Sequence, residues 1–449
     1  MNSETVEVRE VSPGYGFTAE KPTEPFGYKQ TEVGVIPEDW SVLTVGVLNP
    51  FVTSGSRGWA QYYSKFGDLF VRITNMSREN VHLDLTDTRF VSVPNIGQEG
   101  DRTSLARGDL LISITADIGI IGYIDESVPL PAYINQHIAL VRFPSEIVCS
   151  KFVALFLAFG EGQKRFHAIT DQGAKAGINL KTVRELPLAL PPTLKEQRAI
   201  ATALSDVDAL LEELDRLIAK KHDIKQATMQ QLLTGQTRLP GFEGEWEEAQ
   251  LGELCSFHKG KGLPKSSLDA YGRYECIHYG ELFTQYGVEI RKTISRTSTR
   301  GDKFLSVAND VLMPTSDVTP SGLAKASCIK SDKVVLGGDI LVIRADPHTL
   351  NGTFLSYIIR NDDDQVLRLV TGTTVYHLYG SDMRKFTLRI PGVREQNEIV
   401  KALLAMGDEV EAIKQRRAKT VVLKQSMMQE LLTGRTRLKV AEQNSEFLC

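Results

Sequence analysis

The sequence predicts two tandem domains of mixed α/β (α+β) class, each followed by one long α-helix. Three observations support this fold class. Residues 195–239 and 394–438 align with each other without a gap, the segments before them share short motifs, and short apolar runs in those segments are bounded by Gly, Asp and Pro. With 449 residues, of which 42% are hydrophobic and 24% charged, the chain can bury more than one core.

A flexible arm is predicted for residues 1–27, because Pro and Gly interrupt it and no helical or strand period is present. The first domain is predicted over residues 28–192. Phe side chains at three-and-four spacing predict one helix near 150–168. The apolar runs typical of strands are 110–114, 118–124 and 138–143.

A long helix is predicted over residues 193–235, because apolar residues recur at alternating steps of four and three. This spacing lays one narrow stripe along a helix, as in a coiled-coil seam. The stripe consists of Ile200, Leu204, Val207, Leu211, Leu214 and Ile218. Thr193 and Glu196 fit a capping box, and Gly235 fits a left-handed C-terminal cap.

The second domain, 236–391, and the second helix, 392–434, repeat this organisation, and a tail follows at 435–449. The second stripe consists of Ile399, Leu403, Met406, Val410 and Ile413, and the second set of caps is Gly392, Glu395 and Gly434. The helices are more alike than the domains. This difference is expected if both helices meet one kind of partner while the domains meet different ones.

The connection between the helices predicts that they pair in antiparallel orientation. The second domain begins at the end of the first helix and leads to the start of the second. Parallel helices of about 40 residues would force that domain to bridge roughly 60 Å. Antiparallel pairing predicts an antiparallel coiled coil with pseudo-twofold symmetry and a domain at each end, roughly 60 Å or about 18 base pairs apart.

Net charge, cysteine content and the lack of long apolar runs limit the classes of protein to which the chain can belong. A formal net charge of −4 and a pI near 6.1 do not indicate a generally basic nucleic-acid binder. The five scattered cysteines favour a reducing compartment over a disulfide framework. Without a membrane-spanning apolar run or a signal-peptide pattern, a cytoplasmic location without membrane contact is expected.

The sequence resembles the specificity (S) subunits of type I restriction-modification systems. The resemblance rests on the tandem architecture, on the helix starts PPTLKEQRAIA and IPGVREQNEIV, and on the helix ends LLTGQTRLPGF and LLTGRTRL. Segments near the domain starts are also similar, namely GYKQTEVGVIPEDW, TSGSRGWAQYY and RYECIHYGELF. The resemblance covers nearly the whole chain.

This resemblance implies two target-recognition domains, each reading one half of a bipartite site in double-stranded DNA, with the helices fixing the spacer. It implies two methyltransferase (M) subunits, which bring S-adenosylmethionine, and restriction motor-nuclease (R) subunits, which bring ATP and Mg. The chain itself is expected to bind no cofactor and to be no catalyst. Partner docking is expected at the helix starts, at Glu196, Gln197, Arg198, Glu395, Gln396 and Asn397.

The sequence lacks the common motifs of nucleotide-binding and methyltransferase enzymes, and it contains one set of residues of zinc-binding type. GKGLPKSS at 260–267 has the wrong spacing for a phosphate-binding loop, and no Asn/Asp-Pro-Pro-aromatic motif of a methyltransferase is present. Cys255, His258, Cys276 and His278 have the residue types of a zinc site but not the spacing of a common finger. Core cysteines are the preferred interpretation, so no metal is predicted.

DNA contact is expected from loops rich in basic, amide, hydroxyl and aromatic side chains, because base edges need directional donors and phosphates need charge. The candidates in the first domain are Ser56, Arg57, Trp59, Tyr62, Tyr63, Arg72, Asn75, Gln136, His137 and Lys175. In the second domain, residues 259–303 carry nine basic residues against five acids. The candidates there are Lys259, Lys261, Lys265, His278, Tyr279, Arg296, Thr315, Ser316, Thr373 and His377.

Two alternatives remain open at the level of sequence. The same fold could serve a related methylation-based phage-defence complex that lacks the usual nuclease. The chain could instead be a two-headed protein–protein scaffold, in which the helices form a dimerisation rod. The scaffold explains the helices but not the basic loops, and salt-dependent binding to a specific duplex would exclude it.

Overall fold

The structure is a computed structural model that describes residues 26–92, 98–171 and 177–438. Its internal contacts divide the chain into two compact units, Met1–Glu212 with Ala418–Cys449, and Glu213–Arg417. Each unit therefore contains one strand-rich domain and part of both long helices. Most of the predicted arm, and the predicted tail beyond residue 438, lie outside the described residues.

The first domain is built from short strands and four helices within the described residues. The strands are β1 (Tyr28–Thr31), β2 (Gly34–Pro37), β3 (Ser41–Thr44), β4 (Phe51–Ser54), β5 (Tyr63–Ser64), β6 (Asp68–Val71), β7 (Phe90–Val91), β8 (Leu110–Ser113), β9 (Ile121–Tyr123), β10 (Ala132–Ile134), β11 (Ile138–Arg142) and β12 (Pro187–Leu190). The helices are α1 (Gln98–Thr103), α2 (Ser150–Ala158), α3 (Gly160–Asp171) and α4 (Leu180–Arg184).

The central sheet of this domain has the order β4-β11-β8-β9 and is antiparallel throughout. A second sheet, β10-β6-β7-β5, contains the parallel pair β10 and β6. The single helix predicted near 150–168 is wrong, because α2 and α3 are separate. Phe159 is extended and Gly160 has a φ of 54°, a left-handed conformation that suits glycine and interrupts the helix.

The first long helix, α5 (Leu194–Leu233), leads into the second domain. The strands that follow are β13 (Glu247–Gln250), β14 (Cys255–Lys259), β15 (Tyr274–Ile277), β16 (Glu289–Ile290), β17 (Ser295–Thr297), β18 (Phe304–Leu305), β19 (Val311–Pro314), β20 (Ser316–Asp317), β21 (Ser327–Ile329), β22 (Val335–Leu336), β23 (Ile340–Ala345), β24 (Tyr376–His377) and β25 (Thr387–Ile390). The helices are α6 (Leu251–Leu254), α7 (Glu281–Thr284), α8 (Gly352–Asn361), α9 (Asp363–Leu369), α10 (Gly380–Met383) and the long α11 (Val393–Leu431).

The two domains share one internal plan. In the second, the central sheet has the order β14-β23-β19-β21-β16, and β15 pairs in parallel with β22 as β6 does with β10. Both domains also contain the same buried ion pair. Asp109 accepts two hydrogen bonds of 2.7 Å from Arg142, and Asp310 accepts two of 2.7 Å from Arg344. Both carboxylates are fully buried.

The long helices contact each other in antiparallel orientation within the first unit. Lys424 Nζ on α11 lies 2.5 Å from Asp208 Oδ1 on α5. Arg437, just beyond α11, binds Glu196 in the first turn of α5 with both ends of its guanidinium, at 2.5 and 2.8 Å. Residue numbers therefore rise along α5 as they fall along α11.

The second unit contains the same antiparallel arrangement. Lys221 of α5 lies 2.7 Å from Glu409 of α11, and Arg417 binds Asp215 through two hydrogen bonds. Arg238, just beyond α5, binds Glu395 at the start of α11 at 2.5 and 2.6 Å. The predicted fold class of mixed domains and paired long helices is confirmed.

The ends of the helices differ partly from the prediction. Gly235 and Gly434 have φ values of 71° and 69°, as left-handed caps require. The Thr193 hydroxyl accepts the Glu196 N–H at 3.2 Å, but the Glu196 carboxylate binds Arg437. Half of the predicted capping box is therefore replaced by an ion pair between one helix start and the opposite helix end.

One difference between the units predicts a stabilising substitution. At the repeat offset, Lys225 and Gly407 occupy the positions of Lys424 and Asp208, so the second unit lacks this carboxylate. Burial lowers the pKa of Lys225 below its ordinary value. A Cβ built at Gly407 lies 3.0 Å from Lys225 Nζ, the mobile end of a flexible side chain.

Gly407→Asp is expected to stabilise the protein by about 1 kcal/mol, because it raises helix propensity and supplies a partner for Lys225. Chemical unfolding measures the effect. Gly407→Asn is the control, since Asn and Asp have similar helix propensities and only Asp adds a charge. Equal stability of the two variants would contradict the expected ion pair.

Candidate nucleic-acid interface

In the second unit, a cleft at one end of the central sheet brings together predicted residues from separate loops. The cleft has a volume of about 570 Å³. Four of the predicted DNA-binding residues line it, together with residues that the sequence did not single out for DNA contact. The predicted four are Lys259, Thr315, Ser316 and His377, and the additional polar ones include His258, Asp339, Tyr379, Ser381 and Arg384.

Backbone hydrogen bonds fix the loops that form this cleft. The N–H of Leu378 donates to the Thr315 carbonyl at 3.0 Å, and Ser316 pairs with His377 between β20 and β24. Strand β24 and the residue after it are therefore attached to the segment that follows β19. A lysine at the end of β14 completes the wall, with Lys259 Nζ 3.3 Å from an Asp339 carboxylate oxygen.

A close backbone approach next to the cleft requires glycine in both domains. A Cβ at Gly260, which follows Lys259, would lie 1.9 Å from the Gly337 carbonyl oxygen. In the first domain, a Cβ at Gly55 would lie 2.1 Å from the Asn135 carbonyl oxygen. The two positions are equivalent, because the N–H groups of Gly55 and Gly260 donate to the first residues of β11 and β23. Larger side chains would push the loops apart.

The first domain brings three predicted residues together at the same end of its central sheet. Ser56 forms a bridge with Asn135, beside Gln136 and His137. The Gln136 amide donates to His137 Nε2 at 2.9 Å, which leaves Nδ1 to donate to the Thr115 hydroxyl. This hydrogen-bonded chain fixes the imidazole. Lys175, another predicted residue of the first domain, lies outside the described residues.

The cleft and its counterpart carry the chemistry of nucleic-acid contact. Hydroxyl and imidazole groups can donate to and accept from base edges, while the lysine and arginine side chains can contact phosphates. Beside the first-domain site, Arg57 is exposed. In the cleft, the Arg384 guanidinium lies over the Phe257 ring at 5.0 Å, which orients it.

Several predicted residues of the first domain instead stabilise its fold. Trp59 is buried, with its ring 5.2 Å from those of Phe70 and Tyr133. Asn75 is buried, and its amide donates to two backbone carbonyls. Arg72 binds Asp87, and Tyr62 packs against Trp59. Burial contradicts the predicted DNA contacts of Trp59 and Asn75. The partly exposed Tyr62 and Arg72 and the exposed Tyr63 remain candidates.

The basic stretch of the second domain divides in the same way. Arg296 donates to the carbonyls of Gly272 and Arg273 at 2.6 and 3.0 Å, so it holds a turn. His278 accepts the Gly280 N–H, and its ring packs against Tyr279. These contacts give Arg296, His278 and Tyr279 local structural roles, and their DNA contacts remain predictions. The exposed candidates of this stretch and the later loop are Lys265, Arg296, Thr373 and Lys261. Lys261 pairs with Asp302.

The helix starts are engaged mainly within the chain. Gln197 accepts the Cys149 N–H at 2.9 Å, and Gln396 accepts the Asn351 N–H at 2.9 Å. Glu196 and Glu395 are buried in the ion pairs described above. These four predicted docking residues therefore attach the domains and helix ends. The exposed members of the predicted set are Arg198 and Asn397, which occupy the same repeat position.

Neither a metal centre nor a membrane-spanning helix is found among the residues that the structure describes. There, no group of three or more His, Cys, Asp or Glu side chains could hold a metal ion. Cys255 and Cys276 lie in different sheets, and burial raises the pKa of their thiols to about 12 and about 11. None of the described helices combines the length and apolar character needed to cross a bilayer.

Comparison with known proteins gives a consistent result. The family model described as "Type I restriction modification DNA specificity domain" matches residues 70–221 and 243–421, more than half of the chain. A protein of Methanocaldococcus jannaschii named as the MjaX specificity subunit of a type I restriction enzyme is 25% identical over 428 residues, 92% of this chain and 97% of that protein. The MjaVIII specificity subunit of the same organism is 25% identical over 218 residues, 47% of this chain and 49% of that protein.

A solved structure shares the fold. The crystal structure of the type I restriction-modification system S subunit from M. genitalium superposes with a TM-score of 0.52 at 14% identity. The match covers 87% of this chain and 96% of that one.

Proposed function

Because the chain belongs to the family of type I restriction-modification DNA specificity subunits, we propose that each of its domains reads one half of a bipartite duplex site. The observation that carries the proposal is the convergence of Lys259, Ser316 and His377 from the strands β14, β20 and β24 into one cleft. The corresponding end of the first domain gathers Ser56, Gln136 and His137. Equivalent loops with different side chains suit two different half-sites.

The long helices are proposed to set the spacer between the half-sites. Helices α5 and α11 have 40 and 39 residues, which corresponds to roughly 60 Å, or about 18 base pairs. Antiparallel ion pairs hold them together within each unit, as Lys424–Asp208 and Lys221–Glu409 illustrate. A paired helix resists bending more than a single one, as a spacer requires.

Two methyltransferase subunits are proposed to dock on the helices, and restriction motor-nuclease subunits to join the complex. Supporting this, Ile224 and Leu423 occupy the same repeat position and are 42% and 53% exposed. Arg198 and Asn397 form a second exposed pair at one repeat position. S-adenosylmethionine, ATP and Mg are assigned to these partners, and catalysis with them.

Two substitutions in the cleft test the proposal on the chain assembled with its methyltransferase. Lys259→Ala should weaken duplex binding similarly for all sequences and reduce the salt dependence by about one charge. His377→Ala should relax base preference in one half-site, with a loss of about 1–3 kcal/mol for the preferred sequence. Competitive binding to a panel of duplexes measures both.

Lys385→Ala is the matched control, because it removes an exposed charge outside the cleft. It should leave binding unchanged. Absence of duplex binding by the unmodified complex at low salt would exclude the proposed function and favour a protein–protein scaffold. Relaxed preference in both halves after His377→Ala would contradict independent reading by the two domains.

A further inference from the structure

An exposed aromatic side chain precedes the same strand in both domains. Phe66 lies two residues before β6 and is 84% exposed, and Tyr271 lies three residues before β15 and is 97% exposed. Each is followed directly by glycine, Gly67 or Gly272. Strands β6 and β15 are equivalent, because each has a parallel neighbour, β10 or β22. Both domains therefore have an aromatic–glycine pair at the turn before this strand.

Tight turns hold both aromatic residues at the surface. A Cβ at Gly67 would lie 2.4 Å from the Val91 carbonyl oxygen, and a Cβ at Gly272 would lie 2.5 Å from the Thr297 backbone. Each glycine therefore lets the turn lie directly against a neighbouring strand, β7 or β17. The Ser64 hydroxyl donates to the Phe66 carbonyl, and Asp269 accepts the N–H of Tyr271 at 2.9 Å. These contacts fix the backbone that presents each ring.

Arginine side chains flank both turns and stack on a tyrosine. In the first domain, the Arg89 guanidinium lies 5.5 Å from the centre of the Tyr63 ring. In the second, Arg300 and Arg273 lie 5.2 and 5.8 Å from the Tyr274 ring. Stacking fixes a guanidinium plane while its N–H donors stay free for phosphate oxygens.

The acidic side chains near the two turns are engaged by groups other than the stacked arginines. Lys65 stands next to Phe66, and the exposed Asp87 is bound by Arg72. In the second domain, Asp269 is hydrogen-bonded to Ser298 and to the turn itself. A single exposed ring between cations suits a nucleic-acid duplex better than an apolar protein groove, which would match a wider apolar patch.

We propose that Phe66 and Tyr271 are wedge residues that insert against a base step of duplex DNA beside each half-site. The flanking arginines would contact the adjacent phosphates, and insertion would locally unstack and bend the duplex. This inference rests on the proposed function and adds shape-dependent contact outside the clefts. Neither side chain is among the DNA-contact candidates predicted from residue type, because the sequence alone does not show whether a single aromatic side chain is exposed.

The test uses the full chain assembled with its methyltransferase. Each duplex carries 2-aminopurine at one position, which is never the base that the methyltransferase modifies. Binding of the unmodified complex should raise the fluorescence at one step beside each half-site. Phe66→Ala should abolish the rise beside one half-site only, and Tyr271→Ala beside the other. Each should weaken duplex binding about tenfold. Phe66→Tyr and Tyr271→Phe should retain both properties.

Ile147→Ala is the control for loss of an exposed apolar side chain, since Ile147 is 55% exposed in the first domain. It should change neither affinity nor fluorescence. Unchanged affinity and fluorescence in the two alanine variants would overturn the inference while leaving the clefts as readers. Weakened assembly with methyltransferase in the absence of DNA would overturn it in favour of a protein contact. Absence of duplex binding by the unmodified complex would remove the proposed function and this inference together.

Discussion

Deleting seven residues from both long helices at facing positions, 211–217 and 415–421, is expected to shorten the recognised spacer by about three base pairs. Seven residues rise about 10 Å, and one base-pair step is about 3.4 Å. The deletion removes Asp215 and Arg417 together and keeps the heptad phase. Pairs on either side, such as Lys424–Asp208 and Lys221–Glu409, are retained. Methylome sequencing of a host carrying the variant measures the spacer.

Deletion from α5 alone is the control for this experiment. It leaves Arg417 without Asp215 and shifts one helix against the other, so assembly should fail. Methylation of the original site by the double deletion would contradict the role of the helices as a spacer. Methylation of a shorter site would support it directly.

Asp310→Ala is expected to destabilise the second unit by about 3 kcal/mol. The carboxylate is fully buried, accepts two hydrogen bonds from Arg344 and one from the Val307 N–H, and joins β19 to β23. Its removal leaves a partly buried guanidinium without its anion, which costs far more than the loss of a surface pair. Chemical unfolding measures the total, and hydrogen exchange at β19 and β23 locates it.

Asp302→Ala is a suitable control, because its carboxylate is exposed and pairs with Lys261 at the surface. Its loss is expected to cost far less stability than the loss of Asp310, because solvent screens an exposed pair. Asp109→Ala should reproduce the larger loss in the first unit, where Asp109 and Arg142 form the same pair. A small effect at both buried positions would mean that nearby groups or water replace the carboxylate.

The long helices could be predicted because their pattern is local. Steps of three and four place Ile200 and Leu204 on one face, and both are buried in the core of the first domain together with Leu431 of α11. The glycine caps were also predictable, since a left-handed residue is required after the last turn. The sequence left open which residues would meet across the helices. Arg417, which interrupts the second stripe, faces Asp215.

The candidate site was less predictable, because residue type does not determine burial. Trp59 and Asn75 have the side chains of DNA-contacting residues, but tertiary packing places both in the interior. Conversely, Tyr379 and Arg384 line the cleft although they lie beyond His377, the last predicted candidate. Only the pairing of β20 with β24 brings these segments beside Ser316. Such long-range pairing has no local pattern.

The division of the chain also affects the order in which the units can form during synthesis. The second unit is one continuous stretch, Glu213–Arg417, whereas the first combines Met1–Glu212 with Ala418–Cys449. Leu431 and Leu432 belong to the core of the first domain, and Arg437 neutralises Glu196 there. The domain translated first is thus completed last, after the ribosome has added the end of α11. A nascent chain stopped before Ala418 would expose that incomplete core to chaperones and proteases.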